Sequence, residues 1–494
     1  MKNENSLDHV LKYTGLFGGV QGLTLLMSIV RNRLASEFLG AIGIALMGIY
    51  LSVAEFVRSS SNFGIPFSAV RRLSELYEEE QGTGRAVKDF VRVIRTWSMW
   101  TACLAVVVCV AASPLLARFF SGQEHQVDWS TIALLAPMVF AGCLEAGECS
   151  ILKATRRLKR IAIVETLCAA TTLMLTVPFF WAWHIQGIIV ALDLSTLAVL
   201  AIHLCYSLPL YPYHIGIASR EVFVRGWELV RVGIPYVLAA IAGSGVALAL
   251  PALFIRFGSM EDVGFYRVGY TLMVTYAGIV FTAFEADYFP RLSGVNHDPI
   301  RRNATINDQI RVCLLLIAPL LIALMVMMPV VIHILYAKEF MAATSMTICA
   351  AFYMFLRSIT TPISYTALAC GDSMVYLLME IIYDAISLAI IVLCYVQWGL
   401  MGAGIGLSLS ALFDLIMIGT IYGWHYRFRL TRSTLALAIE QGLLVGATMA
   451  LCLLTEGVTK YVVGALLVIL SAWRSCSVLA RETTIIQRLK RWKP

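Results

Sequence analysis

Charge is what this 494-residue sequence has least of: Asp, Glu, Lys and Arg together make up 14%, where a water-soluble domain carries about a quarter. That scarcity excludes a soluble globular fold, which could not cover a chain of this length with so little polar surface. Metal-binding cysteine patterns are absent as well. The 12 cysteines include no CxxC and nearly all fall in apolar runs, so they read as small buried hydrophobes and not as a disulfide framework. Long polar stretches are also missing. A membrane-embedded polymerase or glycosyltransferase places its catalytic residues in sizeable loops, and the longest break here on the side poor in Lys and Arg, from Phe119 to Ser130, is about a dozen residues. No small-residue cleavage site follows the first apolar run, which therefore reads as a retained spanning helix.

What the chain has in abundance is apolar length. Hydrophobic residues make up 59% and the mean hydropathy is +0.79. A bilayer core needs about 20 apolar residues per helix. The spans fall at 10–31, 37–60, 96–117, 130–152, 161–181, 186–207, 228–255, 264–288, 311–336, 345–367, 374–396, 401–424, 437–455 and 460–477. The reading is an all-α polytopic membrane protein with about 14 transmembrane helices.

The breaks between spans test this count. Basic residues crowd the even-numbered breaks: Arg71, Arg72, Arg85, Lys88, Arg92 and Arg95, then Lys153, Arg156, Arg157, Lys159 and Arg160, then Arg220 and Arg225, and so on to the tail. Only the break after the tenth span departs from this. The odd-numbered breaks hold few. By the positive-inside rule both termini are cytoplasmic. The net charge of +7 suits an anionic inner leaflet better than nucleic acid. Arg31 and Arg33, after the first span, violate the pattern. They are either a tolerated pair snorkelling to the interface or a pair facing a wet cavity.

Two parts of the chain echo each other. Glu165, Trp183 and Gly187 recur at identical spacing as Glu380, Trp398 and Gly402. A looser echo relates Gly43, Gly48 and Arg72 to Gly264, Gly269 and Arg291. Chance likeness between apolar helices is the competing explanation. A true repeat implies two parallel six-helix lobes enclosing a cleft. The expected organisation is an N-lobe over 1–208, a linker over 209–227, a C-lobe over 228–424, and two extra helices with a basic tail over 425–494.

Charges inside spans cost roughly 2.5–3.5 kcal/mol each on insertion scales, so they mark cavities or partners. The arginines Arg31, Arg58, Arg256, Arg267 and Arg357 suggest a wet cleft for a substrate bearing phosphate or carboxylate. Each could instead be neutralised locally, as Glu55 could neutralise Arg58. Glu145 and Glu148, three apart on one helical face, and Asp193 are candidates for ion coupling; pairing with nearby arginines is the alternative for the two glutamates. Glu285, Asp287, Glu380 and Glu440 are further charges within or near spans.

Three stretches carry a family resemblance: Arg31-Asn32-Arg33 through Gly40-Ala41-Ile42-Gly43 with Phe63-Gly64-Ile65; Ile334-Leu335-Tyr336-Ala337-Lys338-Glu339-Phe340; and Gly371-Asp372-Ser373 through Glu380 to Trp398-Gly399-Leu400-Met401-Gly402. With fourteen helices, the chain resembles the multidrug/oligosaccharidyl-lipid/polysaccharide exporter superfamily, and within it the Wzx-type flippases. The resemblance implies a transporter and not an enzyme. Its substrate would be an undecaprenyl-diphosphate-linked oligosaccharide, moved across the bacterial inner membrane by a monomer working with polysaccharide polymerase and assembly proteins. It implies no cofactor beyond a coupling ion, H+ or Na+. Related lipid II flippases line a cationic cavity with arginines that correspond to Arg31, Arg58 and Arg267 here, and their two extra helices hold the lipid tail. Glu440 sits awkwardly in such a groove. Efflux of small cationic molecules by the same fold is the alternative, and it would favour an acidic cavity.

Overall fold

The computed structural model describes residues 4–79, 84–120, 127–155, 158–216 and 220–482. The basic tail, Arg156, Arg157 and most of the Gln123–Asp128 break lie outside the described residues, as do the side chains of Lys159, Glu285 and Asp287. Fifteen α-helices account for almost all of the described chain, which contains no strand. This is the outcome a bilayer dictates, because a helix satisfies its own backbone where no water can.

Among the described residues, ten stretches are long and apolar enough to span a membrane. Three of them are double length: Val20–Ser61 has 42 residues, Arg160–Ser207 has 48 and Ser373–His425 has 53. At 1.5 Å per residue each of these exceeds 60 Å, about twice the hydrocarbon core. Each is broken near its middle into two arms of crossing length. Helix α1 (Glu4–Ser61) breaks at Gly40, where φ is 64°. Helices α6 (Leu158–Trp183) and α7 (Ile188–Ser207) are joined by a single tight turn over His184–Gly187. Helix α13 (Ser373–His425) breaks at Trp398 and Gly399. With the shorter pair α9 (Met260–Tyr270) and α10 (Ala277–Gly294), joined by a π-helical turn over Thr271–Tyr276, the fourteen expected segments are present.

The tighter sequence echo returns as one backbone geometry used twice. Trp183 has φ −122° and ψ 5°, and Trp398 has φ −128° and ψ 16°. The residue after each takes a left-handed φ, 47° at His184 and 60° at Gly399. Four residues after each Trp stands a glycine pressed against backbone. A Cβ on Gly187 would lie 2.5 Å from the carbonyl oxygen of Phe179, and one on Gly402 would lie 2.0 Å from that of Cys394, in each case eight residues back. The Trp–Gly spacing is thus the code for reversing the chain within four residues.

The chain divides into two compact units, residues 1–264 with 335–337, and residues 265–334 with 338–494. Helix α8 (Arg220–Phe257) groups with the first unit, where small residues let it dock. Gly233 meets Gly64 backbone to backbone, so that a Cβ on Gly64 would lie 2.8 Å from the Gly233 oxygen. Gly226 lies under the Trp97 indole, whose Nε1 donates to the Val222 carbonyl at 3.1 Å. The basic break after the second span is also structured. Helix α2 (Ile65–Glu79) buries Ile65, Ala69 and Leu73 along one face and exposes Arg71 and Glu75. Helix α3 (Arg85–Phe119) begins well before its apolar run at residue 96.

Each unit grips the backbone that leaves its last double-length stretch. In the first unit Arg95 of α3 donates to the carbonyls of Tyr211 (2.8 Å) and Pro212 (2.9 Å) and lies over the Tyr213 ring. In the second, Arg302 of α11 (Pro299–Leu335) donates to the Tyr426 carbonyl at 2.7 Å and lies over the same tyrosine's ring. The last two helices, α14 (Arg432–Leu454) and α15 (Val458–Glu482), are joined by Arg474 to Glu440 at 2.7 Å and Ser471 to Gln441 at 2.7 Å. Glu440, awkward in an apolar groove, therefore has a cation of its own.

Candidate functional site

The five arginines fall into both units. Arg31 and Arg58 stand on opposite arms of α1, on either side of the Gly40 break. Arg31 is half-buried and reaches Asn32 Oδ1 at 3.4 Å. Its neighbour Arg33 pairs with Glu37 at 2.9 Å and donates to the Tyr336 carbonyl, while Ser36 Oγ accepts from the amide of Ala337 at 2.9 Å. Tyr336 and Ala337, which group with the first unit, thus pack on the arm of α1 that carries Arg33 and Ser36. Arg58 forms an ion pair with Glu55, one turn earlier, and a third of its side chain remains accessible. It leans on Gly142 of α5 (Ala136–Ala154), where a Cβ would sit 3.5 Å from its Cδ. Arg256 is exposed in the last turn of α8.

In the second unit Arg267 is half-buried on α9. Arg357, on α12 (Thr344–Cys370), is enclosed by acids and aromatic rings. Asp414 Oδ2 is 3.5 Å from its Nη1, the Tyr383 and Tyr353 rings lie 5.8 and 6.0 Å from its guanidinium carbon, and Glu380 adds a further charge. A small recess opens here, lined among others by Arg357, Tyr376, Glu380, Tyr383, Asp414 and Tyr422. The carboxylates make it a polar recess in which Arg357 is already largely neutralised.

The acidic candidates have separate surroundings. Residues three apart on a helix point about 60° away from one another, and Glu145 and Glu148 use that angle to reach different partners. Glu148 is buried and takes Arg95 bidentately, at 2.7 and 3.0 Å, with Ser207 Oγ donating to it at 2.5 Å. Glu145 faces His203 Nε2 at 3.3 Å. Asp193 on α7 accepts the amide of Met138 at 3.1 Å and so caps the start of α5. A half-buried carboxylate at that position satisfies a helix-terminal donor that would otherwise be orphaned.

Several side chains described in this structure carry little signal in the sequence. Arg95 looked like a loop cation because it precedes the apolar run by one residue. Cys149 and His203 were visible only as a thiol four residues after Glu145 and as a lone imidazole in an apolar span. The tyrosines around Arg357 carried no spacing signal at all.

A sequence model of the family described as polysaccharide biosynthesis protein matches residues 41–345, well over half of the chain. The chain belongs to that family. No curated protein sequence matches. Among solved structures the fold is that of the MOP superfamily of transporters. An inward-facing MATE family multidrug resistance transporter superposes with TM-score 0.68 at 14% identity, over 84% of this chain and 95% of that one. The lipid II flippase MurJ, in an inward closed conformation, superposes with TM-score 0.67 at 14% identity, over 94% of this chain and 99% of that one. A MOP superfamily transporter from Pyrococcus furiosus, described as having a binding pocket of reversed polarity, gives TM-score 0.54 at 14% identity over 90% and 95%. The family member described here is therefore a multi-pass membrane protein with a transporter fold.

Proposed function

We propose that this chain is a flippase. It carries a polyprenyl-diphosphate-linked oligosaccharide, of the kind used for O-antigen, common antigen or capsule, from the cytoplasmic to the periplasmic leaflet of a bacterial inner membrane. The observation that carries this reading is a polysaccharide-biosynthesis sequence folded as a MOP transporter. The lipid II flippase also superposes on more of this chain, 94%, than the MATE transporter does, 84%. Under this proposal both termini are cytoplasmic, the protein works as a monomer by alternating access, and it hands its cargo to polymerase and assembly proteins. Arg31 and Arg58 engage the diphosphate, since a guanidinium keeps its charge when desolvated and presents two donors to one phosphate. Glu145 and Asp193 are the acids retained for coupling to H+ or Na+.

The test is complementation of a strain lacking the gene. Arg31→Ala and Arg58→Ala should each abolish surface polysaccharide with the protein still in the membrane, and Arg58→Lys should retain part of it. Full complementation by both alanine variants would overturn the proposal. The acidic recess around Arg357 favours a second reading, export of a small cation, because Glu380 and Asp414 line it with Asp384 one turn along from Glu380. Loss of drug resistance on deletion, with polysaccharide intact, would select that reading.

A further inference from the structure

The first unit contains a group of side chains of which the flippase reading calls on Glu145 alone, as one of two acids for ion coupling; a metal bound there would leave that role to Asp193. Glu145 and Cys149 lie four residues apart on one face of α5, and His203 faces them from α7. The carboxylate oxygen, the thiol sulfur and the imidazole nitrogen all lie within 4.8 Å of one another. His203 is buried, with only 5% of its side chain accessible.

The protonation of His203 follows from its neighbours. Its Nδ1 lies 3.0 Å from the carbonyl oxygen of Val199. A carbonyl can only accept, so Nδ1 carries the hydrogen. In the neutral ring Nε2 is then a lone pair, and it points at a Glu145 oxygen 3.3 Å away. Two acceptors that close repel unless something positive lies between them, either a proton on Nε2 or a cation. An Nδ1–H bonded to a backbone carbonyl is also how metal-ligating histidines are usually held.

The geometry points to a metal. Bonds of about 2.0 Å to nitrogen and oxygen and about 2.3 Å to sulfur place tetrahedral ligand atoms about 3.3–3.5 Å apart. The Glu145–His203 separation of 3.3 Å already has that value. The two separations to sulfur, each within 4.8 Å, need to close by about 1.3 Å at most, which side-chain rotation supplies. One oxygen, one nitrogen and one sulfur donor form a mixed set that suits zinc rather than magnesium or calcium.

We propose that Glu145, Cys149 and His203 bind a zinc-class divalent ion that ties α5 to α7. The inference stands whatever the protein transports, and its readout is the metal itself. The purified full-length protein, carrying a tag without histidines and stripped with chelator, is titrated with Co2+. The wild type should take up one ion per chain with thiolate-to-cobalt charge transfer and tetrahedral visible bands, and Zn2+ should displace it and raise the unfolding midpoint. Cys149→Ser should lose the charge-transfer band, and His203→Gln should lose tight uptake. Cys168→Ser should keep the band, because that thiol lies 3.9 Å from Nδ1, the wrong nitrogen. Cys103→Ser, on an exposed face of α3, should keep it too. A stripped wild type that shows no charge-transfer band refutes the site and assigns the bridging charge to a proton. A band that survives in Cys149→Ser refutes it equally. If Cys149→Ser fails to fold, Cys149→Asp serves: it keeps an oxygen donor but must lose the band.

Discussion

The pair formed by Arg95 and Glu148 should behave as one desolvated unit, and a double-mutant cycle reads this directly. The two side chains are 2% and 4% accessible and meet through two bonds of 2.7 and 3.0 Å. Removing one partner of such a pair costs about 3–5 kcal/mol, mostly because the other charge is left buried. The two deletions should differ. Glu148→Ala leaves the guanidinium with the carbonyls of Tyr211 and Pro212, so its cost belongs near the lower end, about 3 kcal/mol. Arg95→Ala leaves the carboxylate with the Ser207 hydroxyl and also strips both carbonyls of their donor, so it belongs near 5 kcal/mol. Replacing both by apolar residues of similar volume, Arg95→Met with Glu148→Leu, removes both buried charges and should recover most of the loss. The assay is the thermal midpoint in detergent at one fixed scan rate, because unfolding of a chain this large is read kinetically. The expected order of midpoints is wild type, apolar double, Glu148→Ala, Arg95→Ala. A double variant lower than either single, with the losses adding, would refute the argument.

Four further outcomes follow from the same kind of bookkeeping. Gly187→Ala and Gly402→Ala each drive a Cβ into a backbone carbonyl at 2.5 and 2.0 Å, so each should lower the midpoint by the equivalent of about 1–3 kcal/mol. Gly22→Ala, with nothing within 4 Å, should gain about 0.5–1 kcal/mol. Arg72 and Arg71 hold the Glu75 carboxyl below its ordinary range, so that ion pair contributes above the usual carboxylate value and is lost as pH falls through the lowered one. Because the site is open to water, Glu75→Gln should remove less than about 0.5 kcal/mol near neutral pH, and salt should erase the difference. Glu440→Ala should cost about 0.6–1.7 kcal/mol by unpairing Arg474, and the exchanged pair Glu440→Arg with Arg474→Glu should restore it.

Apolar length and loop charge were enough to find the helices, because the bilayer permits little else. The Trp–Gly spacing was enough to find the repeated chain reversal, because close backbone contact at Gly187 and Gly402 excludes any side chain. Partners across helices were not legible. Arg95 reads as a solvated loop cation, yet α3 begins eleven residues before its apolar segment and carries that guanidinium inside. Glu145 and Glu148 looked like mutual neighbours, but their partners are 58 and 53 residues away in sequence, and spacing along one helix says nothing about which helix lies alongside. Arg357 looked like a bare cavity cation for the same reason: Asp414 is 57 residues distant.

The two tight reversals also bear on how the protein is made. Between Glu165 and Asp193, and again between Asp384 and Asp414, the sequence contains no acidic, lysine or arginine residue at all. A translocon reading these stretches finds no charge to anchor one arm while the next is synthesised, and the reversal itself offers only four residues of slack. Each stretch should therefore partition into the lipid as a preformed hairpin in a single event. The reversals are accordingly the wrong places for an epitope tag or a glycosylation reporter, which would force the two arms to insert one at a time.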